Sequence, residues 1–407
     1  MEYCINIILL YLLSGAILSH LTDESNPDVK SSAGGLVQML WYVSYGVFVL
    51  LITKVLPRFT RILRRNKLIL VLAALTTVSM FWSQVPDVSA RRVLSFMMCL
   101  IYSFYLALRF NKGQLLVMFY HLAILILVSS LLSILFMPAY GIAQGVHEGS
   151  WRGVYFHKNG LGRISSISCV STYFYIRSIR TRKWLPYVVL LGMVLLVVQS
   201  DSATSLVILF ILYCLYRLLR WTTAKFDQKR LAITILSFAV IVVLLPISFY
   251  YIELLFSAIG RDTSFTGRIP LWLLAFEYIG KAPLLGYGYS AFWMPEVLEN
   301  SLWLRTEWNP QQAHNGFIDV MLQLGLVGLS LFLVILYKAW KLNYRSIRQD
   351  PTEYNYWGII LVGFTILFSL TETFLLKHNN IYWVIFLTMS IDNSLAKKRP
   401  ALYKSAS

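Results

Sequence analysis

Apolar residues in this chain gather into long unbroken runs separated by short polar segments, from one end of the sequence to the other. The runs fall at roughly 4–20, 36–56, 68–82, 93–110, 114–137, 160–176, 184–200, 203–219, 231–252, 316–337, 355–373 and 379–392. A helix needs about 20 apolar residues to cross the hydrocarbon core of a bilayer. Backbone groups in lipid must be satisfied internally, so a spanning segment is either a helix or part of a closed barrel. A barrel needs short segments of alternating polarity, and these runs are continuous. The pattern predicts an all-α polytopic membrane protein, a single integral membrane domain over residues 1–407 that crosses about twelve times. A helix lying along the membrane is expected at 268–280, where Ile269, Trp272, Leu273 and Phe276 are apolar.

The polar segments between the runs alternate in charge. Residues 21–35 carry Asp23, Glu24 and Asp28 against Lys30. The next segment carries Arg58, Arg61, Arg64, Arg65 and Lys67. Arg177, Arg180, Arg182 and Lys183 follow, then Arg220, Lys225, Lys229 and Arg230, then Lys338, Lys341, Arg345 and Arg348, and finally Lys397, Lys398 and Arg399. Twelve crossings put all these basic groups on one side. Cytoplasmic loops collect Lys and Arg, so both termini are expected in the cytoplasm. Residues 138–159 and the long segment 253–315, between the ninth and tenth helices, are then expected on the outer side. The first apolar run has no basic segment before it and no small-residue cleavage site after it, so it reads as a retained helix.

Composition sharpens this picture. The chain is 57% apolar and 14% charged, where a soluble domain carries about 25% charged residues. A net charge of +17 would suggest nucleic acid in a soluble protein; here the basic loops account for it, and no nucleic-acid partner is expected. Cys4, Cys99, Cys169 and Cys214 sit inside apolar runs without metal-ligand spacing. No phosphate-binding glycine loop, hydrolase elbow, zinc-binding helix or carboxylate cluster is present, so neither a metal nor a cofactor is expected.

The candidate chemistry gathers in the two outer segments. His314 and Asn315 stand directly before an apolar helix. A helix N-terminus attracts anions and suits a neutral imidazole base, although both residues would equally serve as a cap. Arg261 and Arg268 offer planar forks of donors for phosphate oxygens, or snorkel to headgroups. Residues Trp151 to Asn159 form a basic aromatic strip containing Arg152, His157 and Lys158. That strip either binds a sugar or pyrophosphate or anchors the interface. Glu372 is an ionisable residue inside an apolar run, which by default points to function.

The order of these elements resembles the family of bacterial O-antigen ligases and Wzy-type polysaccharide polymerases. The Ser-rich turn Gln199–Ser205 comes first, then Gly267-Arg268-Ile269-Pro270-Leu271-Trp272, Pro283-Leu284-Leu285-Gly286-Tyr287-Gly288, His314-Asn315 and Gly325-Leu326-Val327-Gly328. The resemblance covers roughly residues 150–340, with the ligase- or polymerase-like region at 190–340. Arg152-Gly153-Val154-Tyr155-Phe156-His157-Lys158-Asn159 looks like an element of the exopolysaccharide polymerases within it. One departure is the Ser-rich turn, where many members carry a basic residue just after the Ser and this chain has Asp201 and Ala203. Arg152, Lys158, Arg163 and Arg261 are the candidates to replace it.

The resemblance implies a metal-independent, inverting glycosyltransferase at the periplasmic face of the bacterial inner membrane. Its donor is a glycan on undecaprenyl pyrophosphate, and neither ATP nor any other cofactor is required. His314 is expected to be the base for the acceptor hydroxyl. Arg268, with Arg152, Arg261 and Lys158, is expected to hold the pyrophosphate. His157, Asn315, Trp272 and Glu372 support them, and Trp272 and Trp293 shape the groove. The polymerase reading is favoured over the ligase reading on the Trp151–Asn159 strip. Membrane lipids, a flippase and a chain-length regulator are the expected partners. A transporter or flippase is the rival from another class, but the chain lacks the internal repeat that class often shows.

Overall fold

A computed structural model describes residues 1–16, 32–180, 183–224, 268–294 and 310–393, with isolated positions between 229 and 240. The expected helix at 231–252 lies largely outside these residues, as do Arg261 and much of the segment 253–315. The described chain is helical, with an isolated antiparallel bridge, Ile142 to Trp151, and no strand among the described residues.

In chain order the helices are α1 (Glu2–Leu13), α2 (Ser32–Thr53), α3 (Leu56–Leu63), α4 (Lys67–Val78), α5 (Pro86–Arg109), α6 (Lys112–Phe136) and α7 (Lys158–Ile179). They continue with α8 (Leu185–Gln199), α9 (Ala203–Ala224), α10 (Arg268–Lys281), α11 (Gly316–Gln349), α12 (Glu353–Ser369) and α13 (Ile381–Ser390). Among the described residues, five are long and apolar enough to cross a membrane: α2, α5, α6, α9 and α11. Helices α1, α8 and α13 and the stretch Lys67–Phe81 are apolar but shorter.

The centre of the bundle is made by α7, α12 and α13, whose residues are buried almost all round. Helix α7 is the least greasy of the three. Its buried face carries Ser165, Ser166, Ser168, Ser171 and Thr172. Small residues let helices approach closely, and the hydroxyls of Ser166 and Ser171 donate back to the carbonyls of Gly162 and Ile167 at 2.8 Å. The Trp357 indole of α12 donates to Ser171 Oγ at 3.1 Å and closes the joint.

Polar side chains mark the two ends. At one, Arg109 pairs with Glu2 at 2.8 Å, and Asn393 donates to the Ala107 carbonyl at 2.8 Å. The first and last described segments therefore meet there. Glu353 sits at the same end of α12, accepting from Arg177 at 3.3 Å, Arg220 at 3.2 Å and the Tyr216 hydroxyl at 2.8 Å. At the opposite end Tyr155 bonds to Ser14 at 3.1 Å and Tyr45 to Asn379 at 2.8 Å.

The apolar run expected at 316–337 is longer than read and is not one straight helix. Helix α11 runs to Gln349 and breaks at Gly325, where φ is +63°. The loop Pro283–Gly288 is docked into the break. Tyr287 and Gly288 N–H donate to the carbonyls of Leu322 and Gln323 at 2.8 and 3.0 Å. Leu326 and Val327 N–H donate in turn to the carbonyls of Pro283 and Leu284 at 2.8 and 3.2 Å. Backbone freed by a break in a membrane helix has to find such partners. The approach is too close for side chains: a Cβ on Gly325 would lie 2.2 Å from the Leu284 carbonyl oxygen, and one on Gly286 2.5 Å from that of Leu322. Two glycine motifs far apart in the sequence are thus the halves of one joint.

A helix is present where one was expected at 268–280, as α10. Leu271, Leu274, Ala275 and Ile279 are buried against Ile318 and Leu322 of α11, while Leu273 and Phe276 point outward.

Candidate active site

His314 lies at the end of the bundle opposite Glu2 and Glu353, in the turn that enters α11. Its φ of +51° is left-handed, a conformation that non-glycine residues adopt at a cost of about 1–3 kcal/mol when the surroundings impose it. Those surroundings are visible in the hydrogen bonds. Asn315 is the N-cap of α11, its side-chain oxygen accepting from Phe317 N–H at 3.0 Å and Ile318 N–H at 3.3 Å. Both backbone groups of Ala313 are held: its carbonyl accepts from the Trp272 indole at 2.8 Å, and its N–H lies 3.2 Å from each carboxylate oxygen of Asp319.

Glu372 comes from the turn after α12, and its N–H donates to the Phe368 carbonyl at 2.8 Å. The neighbouring Thr373 hydroxyl donates to Asp319, which draws that turn onto the start of α11. The carboxylate of Glu372 then lies between two basic groups. One oxygen is 2.8 Å from Arg163 Nη1, and the other is 3.5 Å from His314 Nδ1. Arg268, the first residue of α10, is half-buried and near enough for its charge to act on Glu372. Arg163 extends from α7 over the ring of Phe374, 5.5 Å from its centroid. Its Nε is buried with no hydrogen bond within the protein. Phe374 stacks on Tyr382 of α13 at 4.2 Å. Three helices and two turns converge on one carboxylate.

The Ser-rich turn supports α7 and offers little to a ligand. A Cβ on Gly162 would fall 2.8 Å from Ser200 Oγ, Ser202 Cβ and Ser205 Oγ, so the turn is packed against the residue preceding Arg163. Its hydroxyls are spent locally, Ser202 on Ser205 at 2.9 Å and Ser200 on the Val197 carbonyl at 2.7 Å.

In the strip Trp151–Asn159 the charged side chains have partners within the fold. Arg152 donates from Nε to the Tyr140 carbonyl and from Nη2 to the Ala139 carbonyl, both at 2.9 Å. A third contact to Phe156 O at 3.5 Å is long. Lys158 pairs with Asp201 at 2.8 Å. His157 packs edge-on against Phe156. Nearby, burial and then Lys158 push the His147 imidazole below its ordinary range. Arg261 lies outside the described residues. Among the described residues, no three His, Cys, Asp or Glu side chains form a group that could hold a metal.

Residues 186–333 match the model of the O-antigen ligase family. The likeness read from the motifs holds over that stretch. The chain is also 33% identical over 93 residues to the exopolysaccharide production protein ExoQ of Rhizobium meliloti, covering 22% of this chain and 21% of that protein. It is 27% identical over 118 residues to a Rickettsia felis protein provisionally named a polysaccharide ligase, covering 26% and 29%. The chain thus matches under a third of the length of each of these relatives. The stretch matched by the O-antigen ligase model takes in the Ser-rich turn, Arg268, the docked loop, His314 and the Gly325 break. Arg163 and Glu372 stand outside it.

Three residues gain importance from the fold. Arg163 was one of four candidates to partner Arg268, and it is the one the fold joins to Glu372. Tyr382 carries no motif. Asp319 does carry a signal, a lone acid in an apolar helix, the same signal that singled out Glu372. Trp272 and Trp293, read as groove-formers, donate their indole N–H groups to the Ala313 carbonyl and to Asp319 at 2.7 Å.

Proposed function

We propose that this protein transfers an oligosaccharide from undecaprenyl pyrophosphate to an acceptor sugar hydroxyl, without a metal and with inversion, on the periplasmic face of the inner membrane. The observation that carries the reading is the meeting of Arg163, Glu372 and His314, with Arg268 beside them. The acceptor oxygen attacks the anomeric carbon as the bond from that carbon to the pyrophosphate oxygen breaks, and the lipid pyrophosphate leaves with the electron pair. The acceptor's proton passes to His314. A charge-assisted bond from Nδ1–H to Glu372 outweighs a neutral contact to Gln312, 3.4 Å away. That fixes the proton on Nδ1 and makes Nε2 the base. Arg268 and Arg163 supply positive charge where the departing pyrophosphate develops negative charge. Glu372 tempers these cations before the substrate arrives.

Polymerisation of lipid-linked repeats is the preferred reaction, supported by the likeness to an exopolysaccharide production protein. Ligation to lipid A core is the second reading, supported by the family match. A deletion strain separates them. Loss of a polymerase leaves single repeats uncoupled, with transfer to core intact. Accumulation of long lipid-linked polymer that never reaches core would establish the ligase. The reading includes about twelve crossings with cytoplasmic termini, a flippase that delivers the repeat, and a chain-length regulator. Reporter fusions at residue 300 should be periplasmic and those at residue 225 cytoplasmic. A cytoplasmic signal at residue 300 removes the basis for the site.

A further inference from the structure

Asp319 is 1% exposed, in the first turn of α11. Burying a carboxylate is expensive unless its oxygens are fully engaged, and here they are. One oxygen accepts from the Trp293 indole at 2.7 Å, the other from the Thr373 hydroxyl, and both lie 3.2 Å from Ala313 N–H. The identity of these donors matters more than their number. Ala313 immediately precedes His314, and Thr373 immediately follows Glu372. One side chain therefore holds the backbone neighbours of both members of the His314–Glu372 pair.

We propose that Asp319 is a positioning residue that sets the His314 imidazole against the Glu372 carboxylate by tying the entry of α11 to the turn after α12. It touches neither substrate nor the reacting atoms. Its effect is geometric. The left-handed backbone at His314 is held on its C-terminal side by the cap at Asn315 and on its N-terminal side through Ala313, whose carbonyl is bound by Trp272 and whose N–H is bound by Asp319. The same carboxylate fixes how far Glu372 stands from Nδ1. The inference rests on the proposed role of His314 as base.

The test uses full-length protein in proteoliposomes supplied with a lipid-linked repeat, with release of undecaprenyl pyrophosphate as the readout. Asp319→Asn keeps one carbonyl oxygen for Trp293 and turns an amide toward Thr373, so the tie loosens while the volume is conserved. Turnover should fall roughly tenfold to a hundredfold, the size expected for misplacing a catalytic group by about an ångström, with KM for the donor unchanged. In a Glu372→Gln background the same substitution should add no further loss. Thr373→Val, which leaves the carboxylate in place and releases only the turn, should show the same pattern more weakly. Losses that multiply in the double variant, or a drop in folded protein with normal turnover per molecule, would overturn the assignment. His314→Ala, measured alongside, separates the failures. If that variant is active, the base reading fails and this inference with it; if it is inactive while the Asp319 and Glu372 losses multiply, only the positioning role is lost.

Discussion

Two basic regions at the same end of the bundle look alike in sequence and are used differently. The strip Trp151–Asn159 and the centre around His314 each offer a histidine with cationic neighbours. In the strip the donors are engaged: Arg152 binds backbone carbonyls and Lys158 binds Asp201. At the centre, two arginines and a histidine converge on Glu372, which is outnumbered. A cation's availability depends on which acceptors the fold has already placed beside it. Arg152 has its donors bonded to main-chain carbonyls, whereas Arg163 keeps a buried Nε–H with no hydrogen bond within the protein.

Substitutions can break this contrast, most sharply at the centre. His314→Ala should cost about 10²–10⁴ in turnover, the usual contribution of a general base, with unchanged abundance in the membrane. Polymer output equal to wild type would end its assignment. Arg268→Ala should follow, losing about 10²–10³. Arg268→Lys should recover only part of that, because an ammonium restores charge without the paired donors; full recovery would mean that charge alone suffices. In the strip the order of effects reverses. Arg152→Ala should lower thermal stability in detergent by about 1–3 kcal/mol through its lost carbonyl bonds and leave turnover within about threefold; a hundredfold kinetic loss with intact stability would return the strip to the pyrophosphate.

A second imidazole makes stability depend on pH. His378 lies in the turn between α12 and α13, where burial, then Arg92 and Lys377, push its imidazole from 6.5 down to about 3. Between those values the unfolded chain binds the proton and the folded one does not, so stability falls as pH drops through that window. His378→Asn should flatten that part of the curve of melting temperature against pH. An unaltered slope would place the acid sensitivity elsewhere.

Much of the architecture is readable because apolar runs are long and continuous, and lipid leaves helices little alternative. The capping role of Asn315 and the helix at 268–280 are legible for similarly local reasons. The break at Gly325 is not. A glycine in an apolar helix looks the same whether the helix continues or parts, and the deciding partner, the loop at 283–288, is remote in sequence. The partners of Arg152 are not legible, because they are main-chain carbonyls, which every sequence contains. Glu372 and Asp319 both stand out as acids among apolar residues, but the bonds that tie Asp319 to Ala313 and Thr373 join separate elements and leave no trace in the sequence. The choice of Arg163 as partner required knowing that α7 and the turn after α12 are neighbours.

The joint between Gly286 and Gly325 bears on how this protein can be recombined with its relatives. Its four hydrogen bonds are main chain to main chain, so they impose no particular side chains. They impose instead a matched pair of backbone shapes, one in the loop and one in the helix. Chimeras with a crossover between residues 288 and 316 take the two shapes from different parents. Those that exchange 283–328 as one block inherit a joint already fitted to itself.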